Sequence, residues 1–338
     1  MGSSYSIDFQ GLERWLRDNG FKKVLIQAPL GLRVEAIRLA ELLSSLRVKA
    51  FLSGGSCWGG CDVAYHEARS LGLDAVIHLG HSRFMEKDEI PTYYLECRYS
   101  DPTPLLKLSE EIKKKLEGRE RVGVGLTVQW LDFLEIFLER LRELGLDPRV
   151  GEPEPPIVYK GQILGCIYTP LLRISDGVDC FLVVGSIFHG LGLALQTRKP
   201  VYAADPEAQR VELLEGLVEE ILRSRYGYIE EFKGAGRVGV IIGAKPGQRR
   251  LALASSLMKL IKAEKKADLL VMDEIRGESL QNMPHEAFVN TACPRLSIEN
   301  QEEIEKPLLL PSEALIALGR LRWEDVIRTP SYMAMEAV

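Results

Sequence analysis

Cysteine is the residue type in this chain best suited to metal or redox chemistry, because a deprotonated thiol binds soft metals strongly. The 338 residues include six cysteines, which are Cys57, Cys61, Cys97, Cys166, Cys180 and Cys293. In a reducing compartment such residues serve as metal ligands, catalytic thiols or small buried side chains rather than as disulfides. The chain has no CxxC pair, so the spacing does not indicate the usual structural zinc site.

The elements that must position these cysteines repeat along the chain, because three segments begin alike. Each segment opens with a short apolar run, which is typical of a strand buried on both faces of a parallel sheet. A helical pattern and further strand patterns follow. The predicted opening strands are residues 23–29, 121–126 and 237–243, and the predicted helices are residues 33–46, 131–144 and 249–262. Later strands are predicted at residues 48–53, 75–79, 148–151, 181–185 and 267–273.

The repeated strand–helix–strand order predicts an α/β fold of three homologous small parallel α/β domains. Two glycines flanked by charged residues, Gly118 and Gly234, mark the predicted boundaries. The predicted domains are residues 1–118, 119–234 and 235–338. The proline-rich residues 151–156 are predicted to form a loop inside the second domain. The tail from about Glu302 is predicted to pack across the domains as helix and loop.

One cysteine follows each opening strand at a comparable distance. Cys61, Cys166 and Cys293 lie about 40, 45 and 55 residues after the start of their respective strands, among turn-forming residues. Loops at the carboxyl ends of parallel strands form the binding crevice of such sheets. If the three domains face a common centre, three thiolates meet there and favour a 4Fe–4S cluster with one iron open to a small molecule. Spacing alone leaves open the alternative that all three are small buried residues in equivalent loops.

The remaining cysteines have weaker claims to a metal. Cys57 forms a CxxxC pair with Cys61 but has no counterpart in the other repeats, which favours a bystander or a conditional thiol. Cys97 and Cys180 stand in apolar, strand-like surroundings and are predicted to pack in the core.

Composition restricts the class of protein. The formal net charge of -5 does not predict a general nucleic-acid partner. No apolar run approaches the ~20 residues that a membrane-spanning helix needs, and the polar residues 1–10 lack the layout of a signal peptide. We therefore expect a cytoplasmic protein with no direct nucleic-acid partner and no membrane association.

Three cysteine-containing motifs stand in order along the chain, with the sequences SCWGGCD at residues 56–62, GQILGC at residues 161–166 and NTACPR at residues 290–295. The first resembles the Y-G-A-C-D loop of the diphthamide biosynthesis enzymes, with Trp58 at the aromatic position, and the other two are similar to that family's remaining cysteine loops. Shorter matches occur at residues 27–32, 80–82, 188–189 and 245–248. The chain departs from the family pattern at Gly59–Gly60, where Gly-Ala is usual, and at Ser186, where an acidic residue is common.

The resemblance is to the archaeal type of the family, which keeps all three cysteines in one chain. It implies a 4Fe–4S cluster held by Cys61, Cys166 and Cys293. It also implies a radical transfer of the 3-amino-3-carboxypropyl group of S-adenosylmethionine to C2 of a histidine in translation elongation factor 2. A radical suits this step, because C2 of imidazole is a poor nucleophile whose neighbouring nitrogens carry the lone pairs. The resemblance further implies a homodimer and an electron donor protein.

Several polar residues follow predicted strands and are candidates for holding S-adenosylmethionine. Positions at helix N-termini attract anionic groups, an arginine can bind a carboxylate with two hydrogen bonds, and loop histidines could also steer a proton from the substrate imidazole. The candidates are Gln27, Arg33, His81, His189, Lys245, Gln248 and Arg295. For Arg33, helix capping and solvation are an equally good interpretation, and for both histidines a structural role in the loop is another.

Two other functions fit the same cysteine pattern. Quinolinate synthase also combines three similar α/β domains with three cysteines around an open 4Fe–4S cluster, but it acts on small metabolites. A non-catalytic accessory or electron-transfer subunit would merely hold a cluster. The local motifs favour the diphthamide enzymes over the first alternative, and the complete set of three cysteines argues against the second.

Overall fold

The computed structural model describes residues 5–335 and contains one main parallel or mostly parallel β-sheet in each third of the chain. The α/β fold class predicted from the sequence is therefore confirmed. Residues 1–4 and 336–338, at the ends of the predicted first and third domains, lie outside the described residues. Among residues 5–335, no helix is both long and apolar enough to cross a membrane.

The first sheet has four parallel strands and a small antiparallel ribbon beside it. Its elements in chain order are β1 (Tyr5–Ser6), α1 (Phe9–Asn19), β2 (Lys23–Gln27), α2 (Arg33–Ser45), β3 (Lys49–Leu52), α3 (Tyr65–Ser70), β4 (Ala75–Leu79), β5 (Thr92–Leu95) and β6 (Arg98–Tyr99). The strand order is β3-β2-β4-β5, and β1 pairs with β6. Four of five residues of β2 and all of β4 are buried, because helices cover both faces of a parallel sheet.

The second sheet has five strands in the order β11-β10-β9-β7-β8, of which only β10 and β11 pair antiparallel. Its elements are α4 (Thr103–Lys107), α5 (Ser109–Lys115), β7 (Arg121–Leu126), α6 (Leu134–Glu143), β8 (Asp147–Arg149), α7 (Thr169–Arg173), β9 (Cys180–Val184), α8 (Ile187–Ala194), β10 (Val201–Asp205) and β11 (Arg210–Leu213). Helices α4 and α5 belong to the core of this sheet through Leu105, Leu108 and Ile112. Residues 151–156 form a loop, as predicted.

The third sheet has four parallel strands in the order β13-β12-β14-β15 and is preceded by a long helix. The elements are α9 (Glu215–Gly234), β12 (Arg237–Gly243), α10 (Leu251–Lys262), β13 (Lys266–Met272), α11 (Gly277–Gln281), β14 (Ala287–Asn290), α12 (Pro294–Glu299), β15 (Leu308–Leu309), α13 (Pro311–Ala317) and α14 (Trp323–Val326). Helix α9 contributes to a core that spans the second and third sheets, in which Val218, Ile229 and Phe232 are buried.

An acidic residue locks the same corner of each sheet. Asp74, just before β4, accepts hydrogen bonds of 2.7 and 2.8 Å from two backbone N–H groups at the entry to β2. Asp179, before β9, accepts 3.2 and 2.9 Å bonds from the entry to β7. Glu286, before β14, accepts a 3.1 Å bond at the entry to β12. The repeated contact supports three copies of one strand–helix–strand unit.

The structure differs from the predicted elements mainly at helix starts and in the tail. The helix predicted from residue 131 becomes α-helical only at Leu134, because Val128–Phe133 forms a tighter 3-10 turn that leads out of β7. The tail includes α13 and α14, as predicted, but also contributes the edge strand β15, where Leu308 and Leu309 are buried beside β14. A two-residue strand carries too short a pattern to be recognised from sequence.

Candidate metal centre

A cavity of about 460 Å³ opens where loops from all three sheets converge. Its wall includes residues that directly follow β4, β7, β9 and β13, so the carboxyl ends of strands face it from three directions. This is the edge at which parallel α/β sheets bind ligands. Among the described residues, Cys61, Cys166 and Cys293 all line this one cavity.

Each of the three cysteines reaches the cavity from a different sheet. Cys61 lies between β3 and α3, and Cys166 lies between β8 and α7, so both precede the third strand of their unit. Cys293 instead follows the third strand, β14, and occupies the N-cap of α12. Its larger distance from the opening strand therefore reflects an additional strand and helix in the third unit.

The thiols are close enough to affect one another's ionisation. Burial raises the pKa of Cys61 to about 11, and the neighbouring Cys293 adds to the increase. Burial also raises the pKa of Cys166, with further contributions from Cys293 and Cys61, and burial raises the pKa of Cys293. As anions, the three thiolates would repel one another in this cavity. A positively charged iron–sulfur centre would neutralise that repulsion. The residues present therefore fit a 4Fe–4S cluster with three protein ligands.

The third sheet presses directly against the Cys61 loop. Gly247 donates a 2.8 Å backbone hydrogen bond to the carbonyl of Cys61, and a Cβ at position 247 would lie 2.5 Å from the Cβ of Cys61. Only glycine permits this approach. Gln248, one of the predicted site residues, lines the cavity and donates its side-chain N–H to the sulfur of Cys61 at 3.6 Å.

Gly60, the position at which the family usually has alanine, also lies in a tight place. A Cβ there would stand 2.4 Å from the carbonyl oxygen of Ser82. The glycine lets the Cys61 loop lie flat against the loop that follows β4, so the departure from the family pattern has a steric reason.

Lys245 lines the cavity, as the sequence predicted, but its ammonium group is already bound. It donates to a carboxylate oxygen of Asp62 at 2.7 Å, to one of Glu274 at 2.7 Å and to the hydroxyl of Ser56 at 3.1 Å. Burial would raise the pKa of Glu274, but the bonds from Lys245 and Ser56 lower it. The lysine thus ties the Cys61 loop of the first sheet to the loop that follows β13.

Arg295 lines the cavity and is likewise engaged. Its guanidinium makes two hydrogen bonds of 2.5 and 2.6 Å to the carboxylate of Glu299, one turn further along α12. The same guanidinium lies against the Cys166 loop, because a Cβ at Gly165 would be 3.0 Å from its Nη1. Arg295 therefore bridges the second and third cysteine loops, and a ligand carboxylate would have to share it with Glu299.

The two predicted histidines also lie on the cavity wall. His81 Nδ1 is 3.0 Å from Nε2 of His78, and Cys57 Sγ is 3.9 Å from each of these nitrogens. His189 Nδ1 lies 2.9 Å from the hydroxyl of Ser186 and accepts its backbone N–H at 3.2 Å. Burial lowers the pKa of both His81 and His189 to about 4, so both are neutral at physiological pH.

Two predicted site residues are not part of the cavity wall among the described residues. Gln27 is buried behind it and bonds the carbonyls of Ser56 and Asp62 at 3.1 and 2.7 Å. Arg33 is exposed and donates 3.3 Å bonds to the carbonyls of Gly54 and Gly55. Both side chains support the loop that carries Cys61 rather than facing the cavity.

The polar residues of this region that the sequence interpretation missed include Ser56, Asp62, His78, Glu274 and Glu299. Ser56 and Asp62 stood inside the quoted first motif, and Glu274 follows the end of β13, where the rule for parallel strands places ligands. His78 gave no signal, because it stands within an apolar strand. Cys97 and Cys180 are buried in the core, as predicted.

Similarity to known proteins agrees with this site. Residues 28–328 match the family model for diphthamide synthesis proteins. The 2-(3-amino-3-carboxypropyl)histidine synthase of Pyrococcus horikoshii is 38% identical over 308 residues, which cover 90% of this chain and 88% of the relative. Subunit 1 of the corresponding synthase of Gibberella zeae is 27% identical over 99% of this chain and 74% of its own length.

The crystal structure of Dph2 from Pyrococcus horikoshii with a 4Fe-4S cluster has the same fold, with a TM-score of 0.85 at 36% identity over 94% of this chain and 92% of that one. The chain therefore belongs to the diphthamide synthesis protein family. Membership decides against the quinolinate synthase alternative that the cysteine pattern left open.

Proposed function

We propose that this chain transfers the 3-amino-3-carboxypropyl group of S-adenosylmethionine to C2 of a histidine in translation elongation factor 2, the first step of diphthamide biosynthesis. The observation that carries the proposal is the meeting of one cysteine from each sheet at a single cavity, in a chain that is 38% identical to a synthase of this name. In this proposal residues 1–118, 119–234 and 235–338 are three domains that each supply one ligand.

Cys61, Cys166 and Cys293 would hold the 4Fe–4S cluster in their shared cavity. A bound cluster supplies the electron for cleaving the sulfonium bond of S-adenosylmethionine, because such clusters reach potentials of about −700 mV. The rest of the task belongs to the protein, which binds, orients and excludes water. On the cavity wall, Gln248 lies beside the Cys61 sulfur, and the Arg295–Glu299 pair lies beside the loops that carry Cys166 and Cys293.

The S-adenosylmethionine contacts are proposed accordingly. Arg295 and Glu299 are a cation and an anion that could bind the carboxylate and the ammonium of its amino acid part. Gln248 could orient the reacting end. Gln27 and Arg33 act at a distance by holding the Cys61 loop, and Lys245 acts by tying that loop to the third sheet, as their hydrogen bonds indicate.

The proposal includes partners and a cellular location. Besides elongation factor 2, the reaction needs an electron donor protein, and the family resemblance supports a homodimer in the cytoplasm. The oligomeric state is measured directly by light scattering during size-exclusion chromatography. A monomer at micromolar concentration that nevertheless modifies elongation factor 2 would contradict the dimer.

The activity is tested by anaerobic reconstitution with iron and sulfide, followed by dithionite, S-adenosylmethionine and elongation factor 2. Methylthioadenosine and the mass of the target histidine peptide are the readouts. Alanine at Cys61, Cys166 or Cys293 should remove both products and lower the iron content. Cys180→Ala is the matched control, because this thiol is buried in β9 outside the cavity wall. A loaded cluster without either product would contradict the assignment.

A further inference from the structure

The hydrogen bonds behind the cavity determine which nitrogen of His78 carries the proton. The side-chain N–H groups of Gln27 donate to two backbone carbonyls, and its Oε1 accepts the backbone N–H of Ala64 at 2.9 Å. The orientation of the amide is therefore fixed. Its Oε1 also lies 3.0 Å from Nδ1 of His78. Since an amide oxygen can only accept, His78 must carry its proton on Nδ1.

The same reasoning passes from His78 to His81. His78 is fully buried, and burial lowers its pKa well below 6.5, so the ring is neutral and its Nε2 has no proton. Nδ1 of His81 lies 3.0 Å from that bare nitrogen and must donate to it. His81, also neutral, therefore has a bare Nε2. Within residues 5–335 no hydrogen bond to this nitrogen is found, and the ring lines the cavity.

His189 has the opposite tautomer. The backbone N–H of Ser186 points at its Nδ1 at 3.2 Å and can only donate, so this nitrogen is an acceptor. The proton of the neutral ring is consequently on Nε2. His189 lines the same cavity. It is close enough to His81 that a positive charge on the His81 ring would lower the pKa of His189.

From these assignments we propose that His81 and His189 form a complementary pair that binds the imidazole of the target histidine. A neutral imidazole has one N–H and one bare nitrogen. The N–H would donate to Nε2 of His81, and the bare nitrogen would accept from Nε2–H of His189. The inference rests on the proposed function and adds the residues that recognise its substrate.

The pairing would explain both orientation and selectivity. C2 of an imidazole lies between its two nitrogens, so holding both nitrogens directs C2 into the space between the two histidines. A protonated imidazole would place an N–H against the N–H of His189, and an apolar side chain would offer neither a donor nor an acceptor to the pair. Gln27, His78 and Ser186 are positioning residues, because they act only by setting the two tautomers.

The tautomers are measured directly in cluster-free protein that contains ¹⁵N-labelled histidine. The chain has five histidines, so single His→Gln variants assign every resonance in long-range ¹H–¹⁵N spectra at pH 7.5. We expect protons on Nδ1 of His78 and His81 and on Nε2 of His189. A proton on Nε2 of His81, or on Nδ1 of His189, would overturn the proposal.

Two small probes test recognition in the same spectra. 4-Methylimidazole has one N–H and one bare nitrogen, whereas 1-methylimidazole has no N–H. 4-Methylimidazole should shift the Nε2 signals of both His81 and His189. It should also bind at least about tenfold more tightly than 1-methylimidazole, as expected for one additional satisfied hydrogen bond. Equal affinities, or shifts confined to other histidines, would refute the pair.

Kinetics with elongation factor 2 supplies the second arm. Leucine at His81 or His189 should lower kcat/KM for the elongation factor by about 100-fold, the effect of leaving a buried polar partner unsatisfied. Glutamine, which retains a donor and an acceptor, should recover most of it. Equal loss in the leucine and glutamine variants would contradict recognition by hydrogen bonding. Failure of the wild-type protein to form methylthioadenosine would instead reject the proposed function itself.

Metal content provides the remaining check, because Cys57, His78 and His81 could together bind a metal ion. Such an ion would occupy the nitrogens assigned here to the hydrogen bond. Purified cluster-free protein should contain no equivalent of zinc that disappears in Cys57→Ser. Stoichiometric zinc lost in that variant would replace the proposed pair with a metal site.

Discussion

Replacing Arg225 by methionine should destabilise the third sheet and loosen the cysteine loop attached to it. Arg225 lies in α9 with 2% of its side chain exposed, and it pairs with Glu313, which is 0% exposed. Its other N–H groups donate to the carbonyls of Ser297 and Leu308 and to the side chain of Gln301, at 2.8, 2.8 and 3.0 Å. One guanidinium thus connects α9, α12, β15 and α13.

The magnitude follows from what the substitution leaves behind. Methionine fills much of the arginine's volume, but Glu313 loses its cation inside the core. Among residues 5–335, the donors that remain to it are the hydroxyl of Tyr332 and the backbone N–H of Leu310. Breaking a buried ion pair by removing one partner costs about 3–5 kcal/mol. The effect should reach the site, because Ser297 lies on α12, the helix whose N-cap is Cys293.

The assay is urea denaturation of the cluster-free protein, with hydrogen exchange of peptides from residues 294–318 as the local measurement. The double variant Arg225→Met/Glu313→Gln is the matched control, because glutamine removes the charge but keeps a polar partner for Leu310 and Tyr332. Removing both charges leaves no unpaired carboxylate in the core. The free energy of unfolding of the double variant should therefore fall by only about 1–3 kcal/mol, the cost of the unsatisfied carbonyls. Reconstituted Arg225→Met should also retain less iron than the double variant.

Two outcomes would refute this reasoning. If Arg225→Met lowers the free energy of unfolding by less than about 1 kcal/mol, the buried Arg225–Glu313 pair contributes no more than an exposed salt bridge. A double variant as unstable as the single one would mean that the arginine acts through its packing and its carbonyl contacts, and not through the charge of Glu313.

Three further substitutions test individual contacts. Gly247→Ala places a Cβ 2.5 Å from the Cβ of Cys61. It should lower the free energy of unfolding by about 1–3 kcal/mol and reduce the amount of iron that the protein retains. The control is Gly216→Ala, which has open space around it in α9 and should stabilise the protein in the same urea titrations. Gln248→Leu removes a donor to the Cys61 sulfur and should lower the cluster's reduction potential in a spectroelectrochemical titration, whereas an unchanged potential would place that N–H elsewhere. Hydrogen bonds from Arg121 lower the pKa of Asp179, so the stabilising contribution of this carboxylate is fully present above pH ~4 and declines as the pH falls towards the lowered value. Asp179→Asn should therefore be less stable than wild type at pH 7, and the difference in free energy of unfolding should shrink steadily as the pH is lowered below ~4. A difference that does not change with pH would contradict this prediction.

The sequence was sufficient for much of the architecture. The opening strands were recognisable because a strand covered on both faces must be apolar throughout, as the fully buried β4 and β9 are. The three cysteine loops were recognisable for a related reason, since turn-forming residues interrupt those runs at the edge where parallel sheets bind ligands. The division into domains at residues 118 and 234 remains a prediction, and α4 and α5 pack on the second sheet although they precede the first of these boundaries.

The sequence was less informative about what each polar residue does. Lys245 and Arg295 were identified as positively charged residues of the site, but the carboxylates that bind them were not. Lys245 and Asp62 are 183 residues apart, so no local pattern links them. Arg225 illustrates the same limit, since a charged residue in the middle of a helix is ordinarily exposed, and only the packing of α9 between two sheets buries it.

By itself, the amino-acid sequence determined the α/β class, the order of the elements, the three cysteine loops and the family, because these depend on short apolar periods and on motifs within a single loop. The tertiary structure decided which side chains line the cavity, which of its charges are already paired and which nitrogen of each histidine carries the proton. Those properties depend on contacts between sheets that are far apart in the chain, and a proton's position on an imidazole is set by whichever donor or acceptor the fold brings to within 3 Å of the ring.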